Sequence, residues 1–435
     1  MCTAERSIIA AFVLLTMSAA TAHAQPASAS QASGQQVTPS QPAPPRAPAP
    51  VPLGVDGRVT PWLQLRGEFR TRLEGFTGSG FTERQDDAYW MDRFRLNATV
   101  RPNKSLGFVV QVQDARAFDK TAGSQVAPLR DTLDLRMAYG EFGTSTMVRA
   151  GRQELAFGEQ RLIGAANWLN TARTFDGGRV TLKRKGFQFD AFAASVVTVQ
   201  PDAFDKSGSG NALYGTYLSM TSLVPKQVVE PYFLWRQSAG IAAELGGTAD
   251  IHQATTGARM AGKLGPDTDY STEVAIQTGS VGPDTVKAWA GHALAGRTLS
   301  RVAWRPRVVG EYNYASGDAS KTDGTRGTFD QLYATAHDKY GLTDQVGWKN
   351  IHDLHAAVEL KPTQKLQLSG GYHSWWLASA TDALYSASGA SLARSAAGTA
   401  GRHVGQELSA QLAFNYSPQL QIAGGYGYLF PGEFL

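Results

Sequence analysis

From residue 60 onward the chain alternates apolar and polar side chains in segments of roughly ten residues, each bounded by turn residues. In the first segment Leu63, Leu65, Gly67, Phe69, Thr71 and Leu73 share one side, and Gln64, Arg66, Glu68, Arg70, Arg72 and Glu74 share the other. A period of two sends successive side chains to opposite faces of a β-strand. The segment therefore predicts a strand with one apolar face and one strongly charged face. The pattern recurs: Arg93, Arg95, Asn97 and Thr99 oppose Phe94, Leu96, Ala98 and Val100, and Glu273 and Gln277 oppose Val274 and Ile276. Arg305, Arg307, Glu311 and Asn313 oppose Val308, Tyr312 and Tyr314; Glu407, Ser409, Gln411 and Asn415 oppose Leu408, Leu412, Phe414 and Tyr416. About 17 such segments can be counted.

One amphipathic strand fits a soluble sandwich as well as a membrane barrel, so the connections decide. Short turns recur near Pro102-Asn103, Gly143-Thr144, Lys185-Gly186, Pro225-Lys226, Gly265-Pro266, Gly296-Arg297, Pro362-Thr363 and Pro418-Gln419. Between them lie longer loops around residues 76–90, 117–130, 155–174, 199–211, 238–251, 317–350 and 378–402, and only the connection near Gly282-Pro283 breaks the rule. Short turns on one rim and long loops on the other mark an outer-membrane barrel. The expected fold is all-β, a transmembrane antiparallel β-barrel of about 18 strands. Bacterial barrels have an even strand number, whereas the segments counted are odd and the chain stops at Leu435 just past Gly425-Tyr426-Gly427-Tyr428. Either a last strand is missing after Leu435 or the register is off by one. Trp62, Tyr89, Trp90, Trp235, Trp304, Tyr372, Trp375, Trp376 and Tyr416 fall near strand ends, where interfacial aromatic girdles belong.

Composition agrees. In 435 residues the mean hydropathy is −0.25, and past residue 24 no run approaches the roughly 20 apolar residues of a spanning helix. Ile8 to Ala20 is a short apolar core followed by Ala22-His23-Ala24, the form of a secretory signal with its cleavage site. Residues 1–24 are therefore expected to be a signal peptide, 25–59 a Pro/Ala/Gln-rich periplasmic leader, and 60–435 the barrel. Cleavage removes Cys2, the only cysteine, which suits an oxidising periplasm. The net charge of +4, from 41 basic and 37 acidic residues, is too balanced for a nucleic-acid binder.

If the apolar faces meet lipid, the charged faces line a lumen. That set holds Arg66, Arg70, Arg72, Arg93, Arg95, Arg152, Arg179, Arg305 and Arg307, against Glu68, Glu74 and Glu311. Guanidinium stays charged and its planar fork grips carboxylate or phosphate, and a wall of one sign concentrates the opposite ion. The bland reading is that these arginines pair with carboxylates and stiffen the wall; Glu68, between Arg66 and Arg70, shows that pairing is available. His352 and His355 leave a strand from opposite faces, so they do not suggest a metal site. Gly317-Asp318 to Asp323-Gly324 lacks the ligand spacing of a calcium loop. No nucleophile elbow, phosphate loop or dinucleotide fingerprint appears. Catalytic residues, cofactor and metal are accordingly expected to be none: a passive pore rather than an enzyme.

Several runs resemble the alginate-export porin family. They are Gly151-Arg152-Gln153-Glu154-Leu155, Gly158-Glu159-Gln160-Arg161-Leu162-Ile163-Gly164, Asn167-Trp168 and Ala172-Arg173-Thr174-Phe175-Asp176-Gly177. Gly327-Thr328-Phe329-Asp330-Gln331-Leu332-Tyr333, with His337, Tyr340-Gly341 and Asp344, and the closing Gly427-Tyr428-Leu429-Phe430-Pro431-Gly432-Glu433-Phe434 add to the likeness. The resemblance covers roughly residues 60 to 435. It implies a monomeric 18-stranded barrel in the outer membrane of a Gram-negative bacterium, with an electropositive constriction that passes a polyuronate. By motif it points to Arg152 and Arg173 as constriction residues, with Asp176 nearby. It also implies a last strand beyond the point where this chain ends. The partners expected are an anionic saccharide or a small organic anion, and outer-membrane lipid; a porin for small organic acids remains the competing reading. The length of the 317–350 loop makes it the candidate plug.

Overall fold

The computed structural model describes residues 8–17, 57–81, 86–123, 126–244 and 246–435. The alternating segments form long antiparallel strands. After β1 (Ile8–Met17) come β2 (Leu63–Thr77), β3 (Asp87–Asn103), β4 (Leu106–Phe118), β5 (Asp131–Gly143), β6 (Thr146–Gln153) and β7 (Phe175–Arg184). They continue with β8 (Phe187–Thr198), β9 (Lys206–Met220), β10 (Gln227–Ala242), β11 (Thr248–Lys263), β12 (Thr268–Val281) and β13 (Asp284–Thr298). The last five are β14 (Arg307–Ala315), β15 (Ile351–Leu360), β16 (Leu366–Leu377), β17 (His403–Ser417) and β18 (Leu420–Pro431).

From β2 to β18 each strand pairs with the next, seventeen staves in sequence order. An odd number leaves the two end strands running the same way, so an antiparallel ring needs one more. That place is held by β1, which pairs antiparallel with β18 (Ile8 opposite Leu429) and with β2 (Ile9 opposite Thr77). The ring then has no open edge, the condition for a sheet surrounded by hydrocarbon. The stave expected after Leu435 is thus occupied by part of the segment expected to be a signal peptide. The triplet Ala22-His23-Ala24 and leader residues 25–56 lie outside the described residues; of the leader's remainder, Arg58–Thr60 pairs with the start of β2.

The two faces of the ring are inverted relative to a soluble protein. Phe69, Phe94, Phe108, Val148, Ile276, Trp289, Leu354, Leu408 and Phe430 are exposed, and all stand on outward positions of the register. Their inward neighbours, among them Arg70, Arg93, Gln113, Glu230, Glu311 and Asp353, are buried. An apolar belt around a polar interior is stable only where the outside is lipid; in water each such side chain would forgo roughly 1.5–3 kcal/mol of burial.

Short connections of two to eight residues close one rim. In the Lys185-Gly186 turn the glycine takes φ 73°, where a β-carbon would meet Ser222 at 2.6 Å. On the long-loop rim, β12 passes directly to β13 through Gly282-Pro283, with Gly282 at φ 54°. One strand start differs from expectation: β14 begins at Arg307, and Arg305 is an exposed residue at φ 47° in the turn after β13. The alternation had been carried one step too far back, because Trp304 and Arg305 both sit in left-handed turn conformations that break the strand period.

Candidate functional site

Two of the long loops turn into the barrel. The 154–174 loop leaves β6 and buries Leu155, Leu162, Ile163 and Trp168 inside the ring. The 316–350 loop brings in Phe329, Tyr340 and Trp348, which are fully enclosed. The two meet as a short parallel bridge at Ile163 and Tyr333. Gly164 N donates to Tyr333 O at 2.9 Å, Tyr333 N to Leu162 O at 2.8 Å, and Thr335 N to Gln160 O at 2.9 Å. Arg173 clamps the junction, one Nη donating to Gly164 O, Tyr333 O and Ala334 O at 3.1, 2.6 and 3.0 Å. Burial pulls its pKa down to about 10, with Tyr333 opposing, so it stays charged at neutral pH. The loop expected to plug the lumen does so, jointly with a second.

The wall of β2 and β3 grips the 154–174 loop through arginine. Arg70 donates to Asn167 O, Leu169 O and Asn170 Oδ1 at 3.0, 3.3 and 3.1 Å. Arg93 reaches the same two carbonyls at 3.0 and 3.2 Å and pairs with Glu68 at 2.5 Å. Arg72 donates to Trp168 O at 2.8 Å, lies 3.9 Å above the Trp168 ring and pairs with Glu74 at 2.7 Å. Arg95 bonds Gln113 Oε1 and Asn167 Oδ1 at 2.7 and 2.9 Å. On β5, Arg136 pairs with Glu154 and bonds Gln111 at 2.6 Å. A buried guanidinium must find acceptors, and the loop backbone supplies carbonyls. With Arg66 and Arg101, the inner face of β2 and β3 carries six guanidiniums against the carboxylates of Glu68, Glu74 and Asp87, whereas on β5 Arg136 stands among the buried Asp131, Asp134 and Glu141.

The facing wall is acidic. Glu230 on β10, Glu273 on β12, Glu311 on β14, Asp353 on β15 and Glu407 on β17 are all buried inward. Arg161 of the same loop reaches across to Glu311 at 2.8 Å, Asn313 Oδ1 at 3.2 Å and Tyr340 Oη at 3.1 Å. Burial opposes its charge, but Tyr340, Glu311 and Glu159 outweigh it and hold Arg161 above the ordinary arginine value. Arg259 pairs with Glu230 at 2.5 Å and with Glu159 at 3.0 Å. Glu407 receives Leu342 N, Thr343 N and Thr343 Oγ1 at 2.6, 3.1 and 2.6 Å, anchoring the other loop.

The expected site residues therefore divide. Arg66, Arg70, Arg72, Arg93, Arg95, Arg179 and Arg307 stand on the inner face; Arg179 pairs with Asp190 at 2.8 Å, and Arg307 with Asp269 at 2.5 Å and Glu359 at 2.8 Å. Arg173 is in the loop junction. Arg305 is in a turn. Arg152 and Asp176 form a two-pronged pair at 2.8 and 3.1 Å, but they share the outer face with the exposed Val148 and Val180. The inward positions there are Gln153 and Phe175, both buried. A motif match carries no face parity, which is why it points to the outward Arg152 and Asp176 as readily as to the enclosed Arg173. Of the acidic wall, Glu311 belongs to the expected lumen set and Glu273 and Glu407 to expected polar faces, whereas Arg136, Arg161, Arg259, Glu230 and Asp353 carry no such signal; Arg161 stands in one of the family-like runs, without a sign of its partners 150 residues on.

Part of the inner wall stays accessible: Arg66, Glu68, Asn97, Gln111 and Tyr139 on β2–β5, and Ala357, Gly371, Ser409 and Gly425 on β15–β18. The inner faces of β11–β14 are buried almost throughout. On the long-loop rim, Asp131, Asp134 and Asp205 bring carboxylate oxygens within 4.8 Å of one another. Burial, then Asp131 and Asp134, push the Asp205 carboxyl up to about 7, so one proton relieves this cluster.

Residues 61–435 match the alginate-export family. The chain belongs to that family. It is an outer-membrane channel and not an enzyme. Among solved structures, OpdO of Pseudomonas aeruginosa superposes with a TM-score of 0.53 at 15% identity, covering 84% of this chain and 94% of that one. OccAB2 of Acinetobacter baumannii gives 0.53 at 12% identity, covering 85% and 97%. OccD3 of Pseudomonas aeruginosa gives 0.52 at 10%, covering 85% and 90%. At these identities the likeness is one of fold. No curated protein sequence matches the chain.

Proposed function

We propose that this alginate-export family member passes anionic hydrophilic solutes by passive diffusion, as a monomer, and that an alginate-like anionic polysaccharide or its oligomers is the solute. The excess of guanidinium over carboxylate on the β2–β3 wall, which borders the accessible part of the interior, carries this reading. Arg70 and Arg95 are satisfied by neutral oxygens that leave their charge uncancelled, whereas Arg72 and Arg93 each share a carboxylate; a low-dielectric wall of one sign enriches the opposite ion.

Planar-bilayer recording tests it. Under a salt gradient the reversal potential should report anion preference, Arg66→Ala combined with Arg95→Ala should move it toward zero, and uronate oligomers should block the current. A cation-selective wild-type channel would defeat the proposal. One observation favours the second reading, a pore for small organic acids: the backbone bonds between the 154–174 and 316–350 loops narrow the passage. Block by small dicarboxylates with none by uronate oligomers would select that reading.

A further inference from the structure

Three carboxylates converge on the long-loop rim without a cation of their own. Asp131 and Asp134 open β5, and Asp205 ends the loop that leads into β9. Each brings a carboxylate oxygen within 4.8 Å of the other two, and among the described residues none of the three is in an ion pair. The neighbouring arginines are matched elsewhere. Arg136 pairs with Glu154, Arg130 with Asp202 and Arg116 with Asp114. Arg152 holds Asp176 with two prongs and reaches Asp205 only at its backbone carbonyl, at 3.0 Å. Each local guanidinium thus has a carboxylate outside the cluster, and three negative charges remain.

Asp131 sets this group apart from a solvated acidic patch. It is 1% exposed. Its Oδ2 accepts from Gln113 Nε2 at 3.0 Å, while Oδ1 is enclosed and has no hydrogen-bond partner. A carboxylate oxygen shut away from water with neither donor nor cation is an unfavourable state, and a bound cation removes it. The other two carboxylates are aimed by backbone amides. Asp134 accepts from Leu135 N and, at 2.5 Å, from Asp205 N; Asp205 accepts from Gln200 N at 2.7 Å.

The donor set is all oxygen and all anionic, which suits a hard cation. Calcium–oxygen bonds of about 2.3–2.6 Å place ligands on opposite sides of the ion about 4.6–5.2 Å apart, so the observed span needs no rearrangement. Magnesium, at about 2.0–2.1 Å in a strict octahedron, would have to draw the oxygens closer. A cavity of 280 Å³ lined by Asp205, Arg136, Thr171 and Thr198 adjoins the cluster and leaves room for water ligands.

We propose that Asp131, Asp134 and Asp205 form a calcium site on the extracellular rim, joining the start of β5 to the loop before β9, with water completing the coordination. The same two segments already touch where Thr132 N and Oγ1 donate to Pro201 O at 3.0 and 2.9 Å. The site also reaches the plug. Gln113 Nε2, which holds Asp131, donates as well to Thr171 O of the 154–174 loop at 3.1 Å, and Gln113 Oε1 accepts from Arg95 at 2.7 Å.

The test uses the full chain in detergent at pH 8, freed of metal by chelator and of lipopolysaccharide, whose phosphates bind calcium themselves. Calcium chloride and magnesium chloride are the probes. Titration calorimetry should show one calcium ion per chain, with a dissociation constant of about 10⁻⁴–10⁻³ M, and weaker binding of magnesium. Asp131→Asn and Asp205→Asn keep the side-chain shape and remove a charge, so each should weaken calcium binding by about tenfold or more. Asp202→Asn, whose carboxylate belongs to Arg130, should leave it unchanged. A second readout needs no variant. The trypsin-sensitive bonds Arg130-Asp131 and Lys206-Ser207 border the cluster. Calcium should slow cleavage there several-fold relative to the Lys185-Gly186 turn on the opposite rim, and chelator should restore it. Absence of calcium heat and of this local protection in the wild type overturns the proposal, as does calcium binding that survives both substitutions in protein shown to be folded by heat-modifiable migration. Neither readout depends on which solute the channel carries.

Discussion

On β2 and β3 the arginines donate to the carbonyls of residues 167–169, whereas on β14 Glu311 receives Arg161 from the same loop. One wall holds the loop by its neutral backbone, the other by an opposite charge. The first kind of contact satisfies a guanidinium and leaves its field intact; the second cancels it. The loop is thus a spacer between a wall whose Arg70 and Arg95 keep their charge and a wall whose Glu311 is paired, and the anion preference proposed above rests on that difference.

Removing the ionic contact should be the more damaging. Arg161→Met leaves Glu311 without its arginine in the interior, at a cost of about 3–5 kcal/mol. The expected result is a lower unfolding temperature on heat-modifiable gels and a larger, noisier conductance; an unchanged gel profile would erase the distinction between the walls. Arg70→Ala with Arg93→Ala removes hydrogen bonds made by charged donors, each contributing about 1.5–3 kcal/mol, and should loosen the loop while lowering anion preference. Arg70→Lys with Arg93→Lys keeps the charge and loses the fork, so conductance noise should rise at an unaltered reversal potential. Arg152→Ala, on the outer face, should leave the reversal potential where it was; a shift toward cations would return that residue to the lumen. The smallest effect concerns pH. A carboxyl whose folded pKa is raised to about 7, as at Asp205, gives stability that is present in acid and lost as pH rises through 7. Protease susceptibility of the 199–205 loop should therefore increase from pH 5 to pH 8, and Asp205→Asn should flatten that trend.

The staves were legible because a two-residue period needs no partner to be read: Glu68 and Arg95 declare their face from their own strands and meet across the ladder. Turn spacing gave the rims, including the exception at Gly282-Pro283. The interior was harder. A backbone carbonyl at Asn167 or Leu169 has no signature in sequence, so the arginines could be assigned to the lumen without their acceptors. Arg152 and Asp176 stand in separate family-like runs and meet across the ladder, one step out of phase with the interior. The count of seventeen was also correct for the segment from Leu63 onward, but it gave no hint that Ile8–Met17, written like a signal core, pairs with both ends. Mass spectrometry of the membrane-extracted chain separates the two roles. A first residue of Gln25 would confine that stave to the precursor; Met1 would make it permanent.

The small side chains at Ala357, Gly371, Ser409 and Gly425 have a mechanical corollary. Under the proposed function a solute would cross off-centre, along the strip where these residues, Arg66 and Glu68 stay accessible, with the filled half of the cylinder as its far bank. Widening such a conduit would need no change in circumference, since trimming one bank suffices.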